Sequence, residues 1–167
     1  DLFVTVAYFD AKQVGLAVAI PDSLPDDTRY YGADGINSDG IEVELSGQIN
    51  ETLSASFSYS NLNIDGDELV KDYTPENQFK LAVTHKVPEI DGLTFGLNYR
   101  WQDDTKRVQV RDAATNAALI TTTQDAYGLL NLMATYDIND NMSVNLNVNN
   151  VTNEKYIHSL FWAQGYY

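Results

Sequence analysis

Apolar residues recur at every second position along most of this chain. Ile41, Val43 and Leu45 alternate with Glu42 and Glu44, and Leu53, Ala55, Phe57 and Tyr59 alternate with Ser54, Ser56, Ser58 and Ser60. Phe79, Leu81 and Val83 take one set of positions, with Lys80, Ala82 and Thr84 between them. Leu93, Phe95, Leu97, Tyr99 and Trp101 are separated by Thr94, Gly96, Asn98 and Arg100. Leu130, Leu132, Ala134, Tyr136 and Ile138 occupy the even positions of a further run, as do Met142, Val144, Leu146 and Val148. A weaker run opens the chain at Val4, Val6 and Tyr8. Side chains on a strand point to opposite faces in turn, so each run has one apolar and one polar face. Helical spacing fits none of them, and the fold class expected is all-β.

The links between runs alternate as well. Residues 48–51, 88–92 and 139–141 are short turns rich in Asn, Asp, Gly or Pro, whereas 21–39, 61–77 and 103–125 are long and polar. Short links at one end and long ones at the other describe an antiparallel up-and-down meander of about seven strands, near 2–18, 30–49, 51–63, 75–88, 92–110, 116–138 and 141–157. A soluble β-sandwich binding module alternates too. Three details favour a transmembrane barrel. The runs, at about 9 to 12 residues, suit a tilted spanning strand better than an ordinary one. The polar face is hydroxylated and amidic, as at Ser54–Ser60 and at Ser143, Asn145, Asn147 and Asn149, which suits a wet lumen. Tyr59, Tyr99, Trp101 and Tyr136 sit near run ends, where aromatic girdles belong.

Composition narrows the function. With 10 Lys+Arg against 24 Asp+Glu, the net charge of -14 argues against a nucleic-acid partner. There is no Cys, hence no disulfide framework or thiolate site. No stretch reaches the roughly 20 apolar residues of a membrane-spanning helix. The opening DLFVTVAYFD lacks a Met and a signal peptide, as expected of a segment of a longer protein.

Particular segments carry a resemblance. Ser38-Asp39-Gly40-Ile41-Glu42-Val43-Glu44-Leu45-Ser46-Gly47 is similar to the Ser-x-Gly-Val-Glu strand of TonB-dependent siderophore receptors. The run from Tyr73 to Leu81, with Pro75, resembles that family's following strand. Asn147-Val148-Asn149-Asn150-Val151-Thr152-Asn153-Glu154-Lys155-Tyr156 resembles its closing Asn-Asn-Leu-Phe-Asp-Lys-x-Tyr signature, with Val151-Thr152-Asn153 replacing Leu-Phe-Asp. The likeness covers about residues 30–167 and looks most like ferric hydroxamate and pyoverdine receptors. It implies a plugged barrel of about 22 strands. Residues 1–167 would be the C-terminal part of that barrel, about seven strands with the final one absent and the plug domain outside this chain. It further implies an iron(III)–siderophore receptor of the bacterial outer membrane, in contact with lipid and lipopolysaccharide. TonB would energise it through an N-terminal region not in this chain. The alternatives are a passive or structural outer-membrane barrel and the soluble sandwich.

No enzyme is expected, for there is no Gly-x-Ser-x-Gly elbow and no Cys nucleophile. No resident cofactor is expected, and two His without Cys do not make a transition-metal set. The segment Asn63-Ile64-Asp65-Gly66-Asp67-Glu68 lacks the twelfth-position Glu of a calcium loop and reads as a solvated tip. Candidate ligand contacts are Tyr73, Arg107, Arg111, Phe161 and Trp162, with Lys106 and Tyr156 beside them. Cations would favour the oxygens of a ferric chelate, and rings would cover its apolar spacers.

Overall fold

Strict two-residue periodicity produces a single antiparallel sheet with two chemically distinct faces. The computed structural model describes residues 1–19, 30–33, 35–66, 73–112, 114–115 and 117–160. Its strands are β1 (Leu2–Lys12), β2 (Leu16–Ala19), β3 (Tyr30–Ala33), β4 (Asn37–Gln48), β5 (Leu53–Asp65), β6 (Asn77–Lys86), β7 (Leu93–Gln102), β8 (Thr105–Arg111), β9 (Ala118–Gln124), β10 (Tyr127–Asn139) and β11 (Met142–Val148). Seven of them form one sheet in the order β1-β4-β5-β6-β7-β10-β11, while β2–β3 and β8–β9 are separate two-stranded hairpins. The strands follow chain order without a crossover, as in the expected meander.

The three short turns lie at one end. Asn50 Oδ1 accepts the N–H groups of Thr52 and Leu53 (both 2.9 Å) and closes the β4–β5 turn. Val87 N–H donates to the Leu93 carbonyl at the β6–β7 turn (2.8 Å). Gly92 adopts φ +78 there, and a Cβ would meet the Asp137 carbonyl at 2.6 Å, so glycine is required on both counts. Asn139 Oδ1 accepts the Asn141 N–H (3.0 Å) between β10 and β11. The described parts of the long links lie at the other end.

Register aligns like with like. Leu45, Phe57, Leu81, Tyr99 and Leu130 form one cross-strand row, and Ser46, Ser56, Ala82, Asn98 and Asn131 form a neighbouring row on the opposite face. Among the described residues no second sheet covers the apolar face. That face stays open: Val4 and Leu146 are each 61% exposed. It carries an apolar groove of about 470 Å³ lined by Val83, His85, Phe95, Leu97, Leu132 and Leu146.

Several expected strands are interrupted rather than continuous. The span 92–110 breaks at Asp103 and Asp104, and 116–138 breaks at Asp125 and Ala126. The Asp103 carboxylate accepts the Asn77 amide (2.9 Å) and the Asp104 N–H (3.0 Å), a local alternative to the ladder. Gln102 pairs with Tyr127, and beyond the gap Thr105 pairs with Gln124, so the hairpin β8–β9 continues the β7–β10 ladder in register. Likewise Lys12 pairs with Asn37 and Leu16 with Ala33 across a break at Gly15 (φ +72). The last expected strand, 141–157, stops at Val148 because Asn150 turns to φ 51.

Candidate functional site

Dense packing occurs at one place, the long-link end of the polar face. Among the described residues the buried apolar side chains are Ile64, Tyr127, Leu129, Ile157 and Leu160, and four of these five belong to this one cluster. The chain reaches it through the turn after β11. Asn150 N–H donates to Asn131 Oδ1 (2.8 Å), Asn150 Oδ1 accepts the Glu154 N–H (2.8 Å), and Asn150 Nδ2 donates to the Glu154 carbonyl (2.9 Å). With Asn153 also at φ 53, residues 154–160 double back over the polar face of β10. Asn tolerates this backbone region better than most residues.

There Tyr156 stacks on Tyr127, with ring centroids 4.7 Å apart and planes at 21°. The Arg100 guanidinium lies 5.7 Å from the Tyr156 ring centre, with Nη2 3.4 Å from the phenol oxygen. Tyr127 donates its hydroxyl to Gln102 Oε1 (3.0 Å). Behind this stack, the Ile157 N–H donates to Gln124 Oε1 (2.6 Å), and Arg107 Nη1 donates to the Leu160 carbonyl (2.9 Å). Thr105 and Gln124 are both buried at the base of the hairpin. A delocalised cation and two stacked rings on a polar wall form a surface for an anionic, partly apolar ligand.

The sequence candidates divide. Arg107 and Tyr73 come together, with 5.9 Å from guanidinium to ring centre. Arg111 and Lys106 instead line a pocket of about 720 Å³ with Asp65, Glu76, Asp103 and Asp104, where carboxylates balance them. Phe161 and Trp162 lie outside the described residues. Sequence reading missed Arg100, Gln124 and Tyr127 as site residues. Arg100 had a signal: it is the one cation on the polar face of β7, among Thr94, Gly96, Asn98 and Gln102. Gln124 had none, since its partner lies 33 positions away. At the rim, the Asn77 amide and the Asp104 N–H hold the Asp103 carboxyl below its ordinary pKa. The Thr115 hydroxyl and N–H, with the Ala114 N–H, do the same for Asp112.

The apolar face, the polar face and the up-and-down strand order define a wall segment of a β-barrel. The chain belongs to the family of TonB dependent receptor-like β-barrels, whose model matches residues 1–151. Proteins of this family are outer-membrane β-barrels. The chain is 32% identical over 155 residues to the ferric-pyoverdine BN7/BN8 receptor of Pseudomonas putida, covering 91% of this chain and 17% of that protein. It is 29% identical over 169 residues to the ferric-pyoverdine 358 receptor of the same species, covering 97% of this chain and 20% of that one. The pyoverdine outer membrane receptor FpvA from Pseudomonas aeruginosa PAO1, solved bound to pyoverdine, superposes with a TM-score of 0.83 at 25% identity, over 99% of this chain and 25% of that one. The chain thus spans about a fifth of the length of the curated relatives it matches. The family is one of receptors rather than enzymes.

Proposed function

We propose that this chain is the C-terminal part of the barrel of an outer-membrane receptor that imports an iron(III)–siderophore complex. In this reading the plug domain and the TonB-contacting region lie elsewhere in the protein, and TonB supplies the energy. Outer-membrane lipid and lipopolysaccharide cover the apolar face. No resident cofactor takes part, and iron is cargo within its chelate. The observation that carries the reading is the Arg100–Tyr156–Tyr127 stack on the lumen side of the wall, just beneath the long links. A ferric chelate presents anionic oxygens and apolar spacers. The guanidinium suits the first and the stacked rings the second. Tyr73 and Arg107 extend the same surface, and Phe161 and Trp162 are its remaining candidate contacts, whereas Arg111 lines the separate acidic pocket.

The test is titration of the purified receptor with a panel of iron-loaded pyoverdines. Tyr156→Ala is expected to weaken binding of the accepted ligand by about 1–3 kcal/mol, as for an aromatic anchor in a pocket. Heat-modifiable gel mobility, the control for barrel assembly, should be unchanged. Unchanged affinity in both Tyr156→Ala and Arg100→Ala would remove this surface from the ligand path.

A further inference from the structure

We infer that Gln124 and Arg107 clamp the segment after β11 to the hairpin β8–β9. The two loop elements then form one unit, and Gln124 is a positioning residue for the ligand-facing Tyr156. The inference rests on the functional reading above for its ligand and on geometry for its clamp.

Two hydrogen bonds bracket the segment. Gln124 Oε1 takes the Ile157 N–H at 2.6 Å, one residue beyond Tyr156. Arg107 Nη1 reaches the Leu160 carbonyl at 2.9 Å, three residues further on. Both donors and acceptors belong to the base of the hairpin on one side and to the main chain of the segment on the other. Between them Ile157 and Leu160 are buried, at 8% and 5% exposure. Gln124 is itself 8% exposed, and its Nε2 donates to the Asp125 carbonyl at 2.8 Å. The amide is therefore held at both ends, which fixes the direction of Oε1. A buried main-chain N–H that loses its acceptor is costly, so the segment cannot leave the hairpin cheaply. Tyr156 cannot hold its stack on Tyr127 if Ile157 swings away, because the two residues share a peptide unit.

The chemistry predicts which substitutions matter. Gln124→Ala and Gln124→Leu remove the acceptor. Gln124→Glu keeps an oxygen for the Ile157 N–H but loses the Nε2 donor to the Asp125 carbonyl, so only partial recovery relative to Gln124→Ala is expected. Arg107→Lys keeps a cation but loses the planar fork, so partial recovery relative to Arg107→Ala is expected.

The experiment is amide hydrogen exchange on the intact receptor without ligand, followed by dissociation kinetics of an iron-loaded pyoverdine. The expected result is slow exchange for Ile157 through Leu160 in the parent and about tenfold faster exchange in Gln124→Ala, the size of one buried hydrogen bond. Exchange in the middle of β10 should not change, and Gln124→Glu, which keeps the acceptor but not the Nε2 donor, should fall between Gln124→Ala and the parent. The pyoverdine should dissociate about tenfold faster from Gln124→Ala, with association little altered. Equal segment exchange in the parent and Gln124→Ala overturns the clamp. Faster exchange with unaltered dissociation overturns the positioning role. A parent receptor that binds neither an iron-loaded pyoverdine nor an iron-loaded hydroxamate siderophore sinks the functional reading instead, and the exchange rates still decide the clamp.

Discussion

Asp112 shows how one carboxylate can organise a loop tip. It accepts the Ala114 N–H at 3.1 Å and the Thr115 N–H and hydroxyl at 2.8 Å each. The ionised form accepts these bonds more strongly than the neutral acid, which is why its pKa lies below the ordinary carboxylate value. The linkage follows in sign. A depressed folded pKa contributes stability that is fully present above the unfolded value and lost as pH falls through the folded one. The Thr115 amide is therefore expected to be protected at neutral pH and to lose protection only in acid below the normal carboxylate range. Asp112→Asn should abolish that pH dependence; hydrogen exchange at Thr115 measured across an acid series checks it. Asp103 is held down in the same way, chiefly by the Asn77 amide, at the point where β7 gives way to the hairpin above it.

The strands obey the alternation closely enough to assign each residue a solvent. Leu97 lies in the row of Ala55, Val83 and Leu132, on the apolar face, and Asn98 lies on the polar one. Leu97→Arg is expected to destabilise the barrel by about 2–4 kcal/mol if the row lies near the bilayer midplane, whereas Asn98→Arg should cost much less. Reversible denaturant unfolding in lipid vesicles measures both. The faces, the meander and the short turns were all legible from residues such as Ser54–Ser60 and Asn50, because these features are local. The strand breaks were not, since Asp103-Asp104 reads equally well as a strand end or a loop. The lumen cluster was half legible. Tyr156 and Arg107 stand out as an aromatic and a cation in loops, but Gln124 and Tyr127 acquire meaning only when distant chain folds back onto them. Arg111 and Lys106 looked like companions of Arg107, yet the pocket they line with Asp65, Glu76, Asp103 and Asp104 faces different chemistry.

Across the described residues, the three short turns lie at one end and the described parts of the long links at the other, which gives the wall a direction across the membrane. The short turns belong on the periplasmic side by the general pattern of outer-membrane barrels. The chain has no Cys, so single cysteines report cleanly from this region. A cysteine at Asn50, Asp91 or Asp140 is expected to resist a membrane-impermeant thiol reagent on intact cells, while one at Thr115 should react. Labelling of the first three from outside would reverse the assigned orientation. The unbroken register between β7–β10 and β8–β9 has a consequence for how such receptors diversify. A one-residue slip inside a spanning ladder exchanges its lipid and lumen faces at once. A length change at the tip of β8–β9 is absorbed above the membrane and leaves every row below it in place. Descent with modification can therefore rewrite the hairpin tip, in length as well as in residue type, while the spanning wall is inherited intact.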